Sequence, residues 1–214
     1  MEKTYRIELE IAGPTALWAR PDTLPHPVSY PAPTQSAAKG IFEAILRWKS
    51  VSVRPTTCEI CAPVRLHRYG FNYGGPLRKS KLLKRRDSHQ VHAVVLVNVC
   101  YRLTAEAEWA RGARGDRVAA PDGEFAPHAY QEAFARRLAT GRWYYTPCLG
   151  WKEFAPDYVG PFRPGTVPCE LENHTIPALL NTVFTPDGPR PVFTPARIEG
   201  GRLEYSLCGG ARAE

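Results

Sequence analysis

Residues Thr4–Ile11 read TYRIELEI, and the alternation of polar and apolar side chains over this stretch predicts a half-buried β-strand. Gly13-Pro14 stops it. A connection rich in proline follows (Pro21, Pro25, Pro27, Pro31, Pro33), too rigid and too poor in donors for regular structure. Thr34 or Ser36 then caps a helix expected to run to about Lys49. Its apolar stripe is Ala37, Ile41, Ala44, Ile45 and Trp48, the spacing of a face packed on a sheet. Gly40 costs such a helix about 1 kcal/mol against alanine, and eased packing is the simpler reason for it.

Val51–Leu66 reads as one or two strands broken near Pro55 and Pro63, and Arg68–Gln90 as a long loop with a Gly74-Gly75-Pro76 turn. Val91–Trp109 is strand-like again, and Arg111–Gly123 is a polar Gly/Arg loop. Pro127 opens a second helix with Tyr130, Ala133, Phe134 and Leu138 inward and Gly141 as its stop. Short strands are expected at Trp143–Leu149, Thr182–Phe184, Arg190–Phe193 and Arg202–Leu207. The order is β-α-β, long loop, β-α-β. It predicts an α+β, ferredoxin-like (RRM-like) antiparallel sheet with two helices on one face over residues 1–155. Residues 156–214 are expected to form a small C-terminal β extension.

At 43% hydrophobic and 23% charged, the 214 residues are ordinary globular material. Met1–Ala12 has no continuous apolar segment of the secretory kind, and no run of about 18 apolar residues exists to span a membrane. A cytoplasmic protein is expected. The six cysteines then read as reduced thiols. Cys58-x-x-Cys61 lies in a strand-like segment that sends the two sulfurs to opposite faces, and no second pair completes a zinc site, so no metal and no cofactor is expected. The net charge of +7 is concentrated in Leu77–Arg86, where Arg78, Lys79, Lys81, Lys84, Arg85 and Arg86 precede the first acid, Asp87. Such a block is either a solvated basic loop or a site for a polyanion, and nucleic acid is the better reading. His67, Arg68, Tyr69 and Tyr73 flank the loop, and rings interleaved with arginine suit base stacking and phosphate contact.

Four stretches together resemble one family. They are Gly13 with Ala16 and Arg20-Pro21; Ser29-Tyr30 followed by Pro33-Thr34-x-Ser36-Ala37-Ala38-x-Gly40-Ile41-x-Glu43-Ala44-Ile45 and Trp48-Lys49; Asn98-Val99-x-Tyr101; and Phe134-x-Arg136-Arg137-x-x-x-Gly141 followed by Pro147-Cys148-Leu149-Gly150-x-x-Glu153-Phe154. Their order and spacing resemble the d subtype of the fifth Cas family, the Cascade subunit of type I-C CRISPR systems. The resemblance covers about residues 1–155. It implies a ferredoxin-like domain with a β extension that binds the repeat stem-loop of precursor CRISPR RNA. It also implies metal-independent cleavage at the base of that stem, with the product kept on its 5′ handle. The implied partners are CRISPR RNA and other Cascade subunits, the large and the backbone subunit, and target DNA is left open. Arg20, Lys39, Arg136 and Arg137 complete the candidate RNA contacts.

Members of this family place an aromatic or His near the end of the first helix and a Lys-His pair entering the second. Here the first position is Leu46 or Arg47 and the pair is Pro127-His128. Metal-free cleavage needs the 2′-OH deprotonated, the phosphorane charge stabilised and the 5′-oxygen protonated. An imidazole can serve as base or acid, so His128 is the candidate, at a helix start that also favours a phosphate. Arg47 is the candidate charge stabiliser; an inert helix-end arginine is the plainer reading. His89 and His92 form a weaker candidate pair, while His26 and His174 carry no argument beyond polarity. Three readings stay open: an endoribonuclease that caps its product, a non-catalytic 5′-handle cap, and a basic RRM-like protein outside CRISPR.

Overall fold

Alternation along β1 (Tyr5–Ala16) divides the strand into two faces: Ile7, Leu9 and Ile11 are buried, whereas Arg6 is exposed. The computed structural model describes residues 5–23, 25–73, 80, 84, 89–110, 126–185 and 188–205. Thr34 caps α1 (Gln35–Ile45), its hydroxyl accepting from the Ala37 N–H at 3.2 Å. The helix ends at Ile45 rather than near Lys49. Leu46 is extended (φ −149°, ψ 128°), and the chain there is taken up by other partners. The N–H groups of Tyr144 and Tyr145 bind the Ala44 carbonyl, and the Tyr130 hydroxyl donates to the Leu46 carbonyl at 2.5 Å.

β2 (Val51–Ile60) and β3 (Leu66–Tyr73) are followed by β4 (His89–Trp109), then α2 (Ala126–Ala139), β5 (Tyr158–Gly160), β6 (His174–Thr185), β7 (Gly188–Glu199) and β8 (Arg202–Glu204). The two ends of the expected long loop, residues 68–73 and 89–90, belong instead to paired strands, with Leu66 opposite Leu96 and Tyr73 opposite His89, and most of residues 74–88 lie outside the described residues. β4 serves two sheets' worth of partners. Its first part pairs with β3, and its later part with β1 and β2. Asn98, after the β3 pairing, before the β2 pairing and at an irregular point of the β1 ladder, takes φ 53°, a left-handed conformation that asparagine tolerates better than most residues.

All ladders are antiparallel, in the order β5-β1-β4-β2-β8-β7-β6, with β3 added on β4. Strands after residue 155 thus bond both edges of the β1-β4-β2 sheet. The strand expected at Trp143–Leu149 is absent. Tyr144 and Tyr145 spend their N–H groups on α1, the Leu149 N–H goes to Phe154, and its carbonyl takes the Leu17 N–H. Gly150 (φ +101°) permits this close approach, since a Cβ there would stand 1.9 Å from the Leu17 carbonyl oxygen.

The two helices share one face of the sheet and touch through Phe42 and Phe134, ring centroids 5.7 Å apart, with Tyr130 stacked on Phe134 at 6.2 Å. Tyr130, Ala133, Phe134 and Leu138 are buried, as their spacing predicts. Burying each large apolar side chain contributes about 1.5–3 kcal/mol. α2 ends as expected at Gly141 (φ 65°): the Gly141 N–H bonds the Leu138 carbonyl and the Arg142 N–H the Arg137 carbonyl, a Schellman closure. Among the described residues no helix is long and apolar enough to cross a membrane.

Candidate nucleic-acid interface

The face of the sheet away from the helices is a lattice of ion pairs. Glu10, Arg102, Glu59 and Arg202 lie in one cross-strand row, and Arg6, Glu106 and Arg54 in another. Arg54 pairs with Glu106 and Glu108, and Arg6 with Glu8. Among the described residues β1, β2 and β4 put no Phe, Tyr or Trp on this face, whereas an RRM-type sheet binds RNA by stacking bases on rings at such positions. At the edge, Phe162 and Tyr158 are covered by the guanidiniums of Arg102 and Arg163, 4.7 and 4.1 Å from the ring centroids. Glu10 is fully buried here. It accepts from the Arg163 backbone N–H (2.9 Å), the Arg163 Nε (2.6 Å) and the Thr166 hydroxyl (3.2 Å). Burial opposes its charge, but the Arg163 N–H and guanidinium outweigh burial and hold the carboxyl below the ordinary range. The sheet face fastens the chain after β5; it is not a basic platform.

Positive charge gathers instead where the two helices end. Leu46, Trp48, Ala133, Arg136, Arg137, Thr140 and Arg142 line a pocket of about 480 Å³. Arg137 is half committed, since its Nε donates to the Ile45 carbonyl at 3.0 Å. Trp48 stands edge-on to Tyr130, centroids 5.5 Å apart, so its ring is held.

His128 lies near the other end of α2. Its ring meets Tyr5 edge-on at 5.5 Å, and its Nε2 is 3.9 Å from Glu132 Oε1. Arg47 is exposed just after α1, next to the buried Leu46. The bond from Tyr130 to the Leu46 carbonyl ties the Leu46–Trp48 segment to the same helix that carries His128. Arg20 is engaged in a two-point pair with Asp22 and sits over the Tyr30 ring, and Lys39 faces Glu43 at 3.7 Å. Neither joins the pocket.

Along β3, His67, Arg68 and Tyr69 are exposed, with Tyr69 edge-on to Phe154 at 5.8 Å. Strand alternation puts His67 and Tyr69 at register positions of one face and Arg68 on the other, and the Tyr73 side chain lies outside what the structure describes. The basic block falls mainly outside the described residues: this holds for Arg78, Lys79, Lys81, Arg85 and Arg86, while Lys84 is exposed. Of the candidate pair His89 and His92, the His89 side chain lies outside what the structure describes. His92 faces His26, ring centroids 6.1 Å apart. Cys58 is buried and Cys61 only partly, with the Cys61 N–H on the Cys100 carbonyl. Among the described residues no three His, Cys, Asp or Glu side chains gather as a metal site.

Sequence reasoning missed Arg142, Thr140 and the outward role of Trp48. Arg142 follows the Gly141 stop, and the Schellman turn is what folds it back beside Arg136. That turn was readable; the resulting wall was not.

The Cas5d family model, described as CRISPR-associated protein (Cas_Cas5), matches residues 6–182. The chain belongs to the Cas5d family. Two curated relatives are similar along most of the length of this Cas5d family member. One is the CRISPR pre-crRNA endoribonuclease Cas5d of Thermus thermophilus, 33% identical over 209 residues, covering 94% of this chain and 84% of that one. The other bears the same name, from Mannheimia succiniciproducens, 26% identical over 220 residues, covering 93% and 94%. Among solved structures, one described as a CRISPR-associated protein superimposes with TM-score 0.70 at 18% identity, covering 96% of this chain and 95% of the other. A chain of a CRISPR RNA-guided surveillance complex superimposes with TM-score 0.52 at 16% identity, covering 94% and 90%. At these identities the two structures speak for the Cas5d fold alone.

Proposed function

We propose that the protein binds the stem-loop of a CRISPR repeat, cleaves precursor CRISPR RNA without a metal ion, and stays on the 5′ handle as a Cascade subunit in the cytoplasm. One observation carries this reading: Cas5d family membership across nearly the whole chain, with both named relatives described as pre-crRNA endoribonucleases. Topology supports it. The order β1-β4-β2, with α1 after β1 and α2 after β4, supports a ferredoxin-like core over residues 1–155, to which β5 adds an edge strand just past that boundary. Residues 156–214 would then be the β extension that widens the sheet. The large and backbone Cascade subunits would be its protein partners.

Cleavage needs little from the protein. A base takes the proton of the 2′-OH, and the 2′-oxygen attacks the adjacent phosphorus. The P–O5′ bond breaks, and the departing 5′-oxygen takes a proton. The products are a 2′,3′-cyclic phosphate and a 5′-OH. His128, in the first turn of α2 and steadied by Tyr5, supplies one of the two proton transfers. Arg47, exposed beside the Leu46 carbonyl that Tyr130 holds, stabilises charge on the phosphorane oxygens. RNA is held by the β3 arm, through His67, Arg68, Tyr69 and Tyr73, by the basic block between β3 and β4, and by Arg136 and Arg137.

A second reading is favoured by one site. Leu46, at the position where relatives carry an aromatic or His, is an aliphatic residue only 5% exposed, and Pro127 replaces the lysine beside His128. A chain that kept its RNA contacts and lost these two groups would be a non-catalytic cap. Single-turnover cleavage of repeat RNA by wild type and His128→Ala, with binding measured in parallel, separates the two. The proposal expects a rate loss of about 10²–10⁴ at little change in affinity. Tight binding by a wild type that leaves the RNA intact would select the cap.

A further inference from the structure

The pocket between the helix ends has an arginine surplus that capping does not explain. Ala133, Arg136, Arg137 and Thr140 recur at three- and four-residue spacing along one face of α2. Leu46 and Trp48 wall the stripe on one side and Arg142 closes it. Cations are favoured at helix C-termini in any case, so the carbonyls there need accounting. The Ala44 carbonyl takes the N–H groups of Tyr144 (2.8 Å) and Tyr145 (3.1 Å), and the Ile45 carbonyl takes Arg137 Nε. The Arg136 carbonyl takes the Thr140 N–H (3.2 Å) and hydroxyl (2.9 Å). The Arg137 carbonyl takes the Arg142 N–H (3.0 Å), and that of Leu138 the Gly141 N–H (3.3 Å). None of these bonds uses the guanidinium of Arg136 or Arg142.

Both side chains are exposed, no acid lines the pocket, and among the described residues neither has an acidic partner. Two planar guanidiniums with unused donors therefore face a space that also presents an indole. Guanidinium forks match phosphate oxygens at two points, and an aromatic wall suits a base or ribose. A carboxylate side chain would satisfy the arginines but leave most of a pocket of about 480 Å³ empty. That volume falls in the range of about 300–1,000 Å³ usual for compact ligands.

We propose that this pocket takes one phosphate-bearing nucleotide of the bound RNA, its phosphate on Arg136 and Arg142 and its base or ribose against Trp48 and Leu46. The proposal rests on the RNA-binding reading above and adds a single-nucleotide subsite, with Arg142 and Trp48 as residues of recognition.

The test measures repeat-RNA affinity against salt for wild type and for Arg136→Ala/Arg142→Ala, leaving Arg137 in place because it closes α1. Affinity should fall about 10- to 100-fold, and the slope of log K against log salt should flatten by about 0.7, the share of one single-strand phosphate. Unchanged affinity and slope in the folded variant would overturn the subsite. If the variant does not fold, ultraviolet cross-linking of wild type to repeat RNA decides: the peptide bearing Trp48 should carry a nucleotide, and its absence among the cross-linked peptides overturns the proposal. Adenosine 5′-monophosphate serves as the free-nucleotide arm. Labelling of Trp48 by it but not by RNA would also overturn the assignment, as would a double variant that keeps RNA and loses only a protein subunit. A wild type with no affinity for repeat RNA would instead sink the function proposed above, which keeps the two failures apart.

Discussion

Arg137 Nε lies 3.0 Å from the Ile45 carbonyl, so a guanidinium carried by α2 closes the C-terminus of α1. Arg136, its neighbour, makes no such bond and faces the pocket. Of two adjacent arginines of one sequence motif, Arg137 thus also builds the fold, whereas Arg136 leaves its guanidinium to the pocket.

This division is measurable. Arg137→Ala should destabilise by about 1–2 kcal/mol, the worth of a charged hydrogen bond to a partly buried carbonyl. Arg136→Ala should stay within about 0.5 kcal/mol of wild type while weakening RNA binding. Thermal melts of the two variants check it; equal destabilisation would refute the division.

Phe134→Ala should cost about 3–5 kcal/mol, because the ring contacts both Phe42 and Tyr130 at the meeting point of the helices. Denaturant unfolding reads the loss directly. A change below about 1 kcal/mol would mean that the helices do not depend on this contact.

Glu10 gives the fold a pH dependence. Its carboxyl is held below the ordinary value when folded, so its stabilisation is complete above the unfolded pKa, about 4.3. It is lost as pH falls through the lower folded value. Glu10→Gln should lower stability at neutral pH, leaving Arg163 and Arg102 without their acid, and should flatten the acid limb of a stability–pH profile. An acid limb as steep as that of wild type would contradict the assignment.

Replacing Lys79, Lys81, Lys84, Arg85 and Arg86 together should flatten the salt dependence of RNA binding, since each phosphate contact released removes about 0.7–0.9 from the slope. An unchanged slope would place the RNA away from this segment.

Much of the architecture was legible because it depends on local chemistry. The TYRIELEI alternation, the helix cap at Thr34 (one of the two residues expected there), the Tyr130–Leu138 stripe and the Gly141 stop follow from the sequence, as each is decided by neighbours in the chain. Errors arose where distant partners decided. α1 stops early because Tyr144, Tyr145 and Arg137 take its last carbonyls, and Trp143–Leu149 loses its strand to those same bonds. Residues 68–73 read as loop because Gly70 and Asn72 weaken the strand signal, although β4 supplies their partner. The site was less legible. The sheet's ion-pair face depends on cross-strand register, and the arginine pocket on a turn that folds Arg142 back.

Cleavage of repeat RNA is assigned above to the chain's own side chains. It is tested most directly by incubating the purified protein with repeat RNA in EDTA and determining the chemistry of the product ends. A single cut should leave a 2′,3′-cyclic phosphate on one fragment and a 5′-OH on the other. RNA that is bound yet intact, or cut only when a divalent cation is restored, would contradict it.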